Sequence, residues 1–70
     1  MSDPAEIAWR IKRLRKDRGW TQYELASEIG AKRYCITRWE TGVAMPSLPA
    51  LYRLADVFGC RIDWLARGVS

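Results

Sequence analysis

The chain has 70 residues, 49% of them apolar, and a formal net charge of +4, which bounds it to one domain (residues 1–70) near the lower size limit for a self-supporting core. It contains no histidine and two cysteines, Cys35 and Cys60, without C-x-x-C spacing, so neither the usual structural zinc site nor a histidine-based catalytic centre fits. No apolar run approaches the roughly 20 residues that span a bilayer, and the polar, acidic N-terminus is no signal peptide, so cytoplasm and free thiols are expected.

Five helices are predicted, in an all-α bundle. The first starts at Asp3-Pro4-Ala5-Glu6: Asp3 can cap the free amides, Pro4 suits the first helical position, and Glu6 can complete a capping box. Ile7, Ile11 and Leu14 make an apolar stripe, Arg10, Lys12, Arg13, Lys16 and Arg18 cover the rest, and Gly19 is placed at the C-cap. A second box, Thr21-x-x-Glu24, opens helix two, which buries Leu25, Ala26 and Ile29 and ends at Gly30, where a left-handed turn costs glycine nothing. Helix three runs from about Lys32 to Glu40 with Ile36 and Trp39 inward. Ser47 caps helix four, which buries Leu51, Leu54, Ala55 and Phe58 before Gly59 stops it. A short fifth helix, Arg61 to Arg67, offers Ile62, Trp64 and Leu65.

Charge is unevenly placed. Residues 10–38 hold nine Lys/Arg against Asp17, Glu24 and Glu28, a net +6; residues 39–70 cancel, and Asp3 with Glu6 brings the total to +4. A basic half of this kind attracts phosphate, or is a solvated face that aids solubility. Of the four tryptophans, Trp39 and Trp64 have core spacing and Trp20 sits where a hydrophobic staple belongs. Trp9 is open between core, partner interface and base stacking. Cys35 falls on helix three away from Ile36 and Trp39, so partial exposure is expected; an inert small residue is preferred there to a redox switch.

The segments RIKRLRKDRGWTQYELASEIGAKRYCITRWETG and PSLPALYRLADVFGCRIDWLARG together resemble the Cro/repressor type of helix-turn-helix, the lambda repressor-like domain. Gln22, Ala26, Gly30, Ile36 and Trp39 fall where the helix-turn-helix (about residues 21–40) needs a polar start, a small contact, a turn and two core anchors. The resemblance implies that helix three (about 32–40) enters the major groove of double-stranded DNA. Arg33 and Arg38 are then base readers, since arginine pairs bidentately with guanine O6 and N7. Tyr34 is expected at a base or methyl group, Thr37 beside Arg38, and Lys32 at base or phosphate. Gln22, Arg15 and Arg13 are expected against phosphate, Gln22 from the amino end of helix two. Arg15 and Glu40 match a pair that joins helix one to the end of helix three in the family. Two departures stand out. Lys32 occupies a cap position that usually holds Ser or Thr, and Val43-Ala44-Met45 replaces a loop that often carries Lys or Arg.

The expected function is a transcriptional regulator that binds a palindromic operator as a homodimer, with the dimer surface around Phe58, Ile62, Trp64 and Leu65. With no sensor domain after residue 70, regulation would come from protein level, dimerisation, competition or a protein partner. The alternative is an antitoxin-type module whose main partner is a protein. No cofactor is implied, and no catalytic constellation is present that would make the chain an enzyme.

Overall fold

A computed structural model describes residues 1–69. Its elements are α1 (Pro4–Asp17), α2 (Gln22–Ile29), α3 (Arg33–Glu40), α4 (Leu48–Phe58) and α5 (Ile62–Arg67). No strand occurs among the described residues, so the chain is all-α with five helices, as its patterning requires.

Local chemistry sets the helix ends. Asp3 accepts from the Glu6 amide at 2.9 Å while Glu6 accepts from the Asp3 amide at 3.2 Å. Thr21 and Glu24 repeat the exchange at 3.1 and 2.9 Å. Each box satisfies two amides that the first helical turn leaves without partners. Gly30 and Gly59 close α2 and α4 in the left-handed region, at φ of 69° and 64°, where a side chain would be strained. At the end of α1 the C-cap is Arg18 rather than Gly19, which follows it in the left-handed conformation.

Helix α3 packs against both α1 and α2, α4 against α2 and α5, and α5 returns to α1. Ile7, Ile11, Leu25, Ile36, Leu51, Leu54 and Leu65 are fully buried at the centre. Each withdraws apolar surface worth about 1.5–3 kcal/mol. These residues come from all five helices, and α3 is held from behind by α1 and α2.

Two readings of the sequence are corrected here. Arg10 and Arg18 do not sit idle on the outer face of α1. Arg10 is buried and donates to Ser2 Oγ at 2.8 Å and to the Leu65 carbonyl at 3.2 Å, tying α1 to α5. Arg18 donates to the carbonyls of Val57 and Phe58 at 2.8 and 2.6 Å, and its guanidinium lies over the Trp20 and Phe58 rings. It thereby supplies the partners that the last carbonyls of α4 lack. The second correction concerns the expected dimer surface: Phe58 and Leu65 are 4% and 0% exposed. With an apolar core this small, both are consumed in closing it, and only Ile62 and Trp64 keep partial exposure.

Candidate nucleic-acid interface

Helix α3 divides cleanly by face. Ile36, Trp39 and Glu40 are buried, whereas Arg33, Tyr34, Thr37 and Arg38 are exposed. Those four stand at i, i+1, i+4 and i+5, one stripe of a helix, and line a single shallow depression. Tyr34 is 63% exposed although aromatic.

Beneath this stripe runs a polar chain through three helices. Arg15 on α1 donates through Nε to Glu40 Oε2 at 2.6 Å and through Nη2 to Glu40 Oε1 at 2.9 Å, a two-pronged ion pair. A third donor, Nη1, reaches the Trp20 carbonyl at 2.7 Å. Gln22 at the start of α2 donates to Glu40 Oε1 at 3.2 Å and accepts from the Thr37 hydroxyl at 2.8 Å. The chain therefore climbs from the buried end of α3 to a residue on its exposed stripe. The hydrogen bond to Glu40 pushes the Arg15 pKa up, against the opposing effect of burial. A paired, hydrogen-bonded charge is tolerable in the interior where a lone one is not.

The amino end of α2 forms a second depression, lined by Arg15, Thr21, Gln22, Tyr23 and Arg33. Free amides and the helix dipole make such an end favourable to an anion. Gln22 Nε2 carries two hydrogens and gives one to Glu40, so the other is free to donate outward.

The structure thus brings Arg33, Tyr34, Thr37 and Arg38 together, and sets Gln22 beside Arg33. Lys32 is the exposed N-cap of α3, next to Arg33 in a depression shared with Tyr23. Arg15 is turned inward: it is 8% exposed and three of its donors are engaged within the chain, which corrects the expectation of a direct phosphate contact to one of positioning. Arg13 lies apart on the outer face of α1, over the Trp9 ring and 3.8 Å from Asp17. Sequence reasoning missed two features. Tyr23, 70% exposed at the α2 depression, has no local signature that separates it from any surface tyrosine. The bridge from Gln22 to Thr37 spans 15 residues and follows only from the docking of α2 on α3.

Lys32 supplies no side-chain cap to α3, and its positive charge sits at the positive end of the helix dipole. Lys32→Ser is therefore expected to raise the unfolding free energy by about 1 kcal/mol, read by chemical denaturation, while weakening DNA binding. Unchanged DNA affinity in that variant would remove Lys32 from the interface, and unchanged stability would remove the cap argument.

Comparison with known proteins agrees with this geometry. A family model described as "Helix-turn-helix" matches residues 11–65. The chain belongs to that family. It is 43% identical over 54 residues to an HTH-type transcriptional regulator of Archaeoglobus fulgidus, covering 77% of each chain. Similarity extends to the antitoxin HipB of Escherichia coli, at 33% over 51 residues, 73% of this chain and 58% of HipB. Among solved structures, the P22 c2 repressor bound to a synthetic operator superimposes with a TM-score of 0.85 and 27% identity, covering 90% of this chain and 96% of the repressor. Helix-turn-helix proteins of the Cro/repressor type are thus the relatives in both sequence and shape, and α2 and α3 are the helix pair.

Proposed function

We propose that this DNA-binding transcriptional regulator reads a specific duplex sequence through α3 in the major groove, as a homodimer on a two-fold symmetric operator. The observation that carries the reading is the stripe Arg33, Tyr34, Thr37 and Arg38, exposed on a helix whose other face is locked into the core. Arg33 and Arg38 are separated by about 7.5 Å of helix rise, roughly two base-pair steps, so each can address its own guanine. Tyr34 lies between them for a base edge or thymine methyl group. Thr37 keeps its oxygen as an acceptor while its hydrogen is held by Gln22. Lys32 and Gln22 take the flanking phosphates and fix the register, and Arg13 adds positive field at longer range. The P22 c2 repressor likeness supports operator binding. The domain measures 27 × 24 × 21 Å, so two copies fit side by side on the ~34 Å repeat that a dimeric helix-turn-helix requires.

The assignment is to binding rather than catalysis. No helix among the described residues is long and apolar enough to cross a membrane, and we place the protein in the cytoplasm with its DNA. The likeness to HipB favours one second reading, a protein-binding antitoxin in which DNA contact is secondary; a stable complex with a toxin encoded beside it would select that reading.

Titration of a labelled duplex at rising salt tests the electrostatic part. Each neutralised phosphate contributes a slope of about −0.9 in log K against log salt, so several contacts should give a slope near −4. A flat response would contradict a phosphate-tracking surface.

A further inference from the structure

The outer face of α1 makes no direct contact in the DNA reading, to which its Arg13 adds only field, and its composition is polarised. Trp9 is 58% exposed at its centre. Towards the N-terminus, Trp9 lines a shallow depression with Asp3 and Glu6; Arg10 borders it too, its Nη1 held inward by Ser2 and Leu65 and its Nη2 3.9 Å from Glu6 Oε2, which leaves Asp3 and one partly offset carboxylate as the acid of this half. Towards the C-terminus, Trp9 lines a second depression with Lys12, Arg13 and Lys16. An exposed tryptophan thus separates an acidic half from a basic half on one helical surface.

Such a face is complementary to itself. When two copies of α1 meet antiparallel about a two-fold axis at Trp9, the acidic half of each lies over the basic half of the other. Isologous contacts of this kind are how most homodimers are built, because one patch must match its own rotated copy. Tryptophan is the residue type most effective at the centre of an interface. Arg13 already lies 5.5 Å from the Trp9 ring centroid, so the ring enters the contact with one face covered. Charge at the rim then fixes orientation, since a parallel arrangement would set like charges together. We propose that the Trp9 face of α1 is a docking surface for a second copy of this chain, antiparallel and two-fold symmetric.

One helical face is a small interface, so the association is expected to be weak and concentration-dependent. Nothing in it rests on DNA, and the variants can be scored separately on a DNA half-site.

The test is sedimentation equilibrium across a wide concentration range, with circular dichroism to check helix content. Trp9→Ala should weaken self-association by about tenfold or more. Lys12→Glu combined with Arg13→Glu makes both halves acidic, Glu6→Lys removes acid from the other half, and each should abolish self-association. The decisive arm mixes these last two proteins, which should associate with each other although neither self-associates. A wild-type chain that remains monomeric, a Trp9→Ala variant that self-associates like wild type, or a mixture that stays monomeric would each overturn the proposal. Retained half-site binding by Trp9→Ala is expected. Loss of half-site affinity in wild type with self-association intact would instead sink the DNA reading and leave this one standing.

Discussion

Arg15→Ala is expected to lower the unfolding free energy by about 3 kcal/mol, the effect of removing one partner from a buried ion pair. Glu40, whose side chain is 2% exposed, would be left with Gln22 as its remaining side-chain partner. Small domains have total stabilities of about 5–15 kcal/mol, so this is a large fraction. The melting temperature should fall by roughly 4–8 °C per kcal/mol. Arg15→Met with Glu40→Leu removes both charges and should recover most of the loss. That double variant should still bind DNA poorly, because Gln22 and Thr37 lose the anchor that sets α3. A single variant within about 0.5 kcal/mol of wild type would show that the pair is not structural. The pH dependence has a definite sign. A raised arginine pKa gives stability that is present below the unfolded value and lost only as pH climbs through the folded one, so the pair's contribution from Arg15 persists until strong alkali.

Arg33→Ala and Arg38→Ala should each cost roughly 1–3 kcal/mol of operator affinity and relax the base preference at one position of the half-site. Their stability should be nearly unchanged, because both side chains are exposed and neither guanidinium is bonded among the described residues. Gln22→Ala should behave differently. It removes the proposed phosphate contact and releases Thr37, so all sequences should weaken alike. Competition between operator and scrambled duplex separates the two classes. Equal losses of both arginine variants on both duplexes would refute base reading.

What could be read from the sequence was what local chemistry decides. Asp3 with Glu6 and Thr21 with Glu24 sit three residues apart, so their boxes form whatever the rest of the chain does. Gly30 and Gly59 mark left-handed stops for the same reason. The stripe of α3 follows from helical period alone, since Ile36 and Trp39 fix which side is buried. Residues whose partners are distant in sequence were misjudged. Arg10 and Arg18 read as solvent-facing cations because their acceptors, carbonyls of Leu65, Val57 and Phe58, are 39 to 55 residues away and are set by helix docking. Phe58, already expected on the buried side of helix four, and Leu65 were also offered to a dimer surface because composition does not say how much apolar area a 70-residue core consumes. The Arg15–Glu40 pair was visible through family resemblance, but its extension through Gln22 to Thr37 was not. The outward stripe of α3 and the inward chain behind it together determine which way the arginines point.

In-vitro selection of the purified protein against a random duplex pool, at near-physiological salt, tests the central claim most directly. A two-fold symmetric consensus is expected, with two guanines about two steps apart in each half-site and half-sites one helical turn apart. Enrichment of no motif would contradict sequence reading by α3.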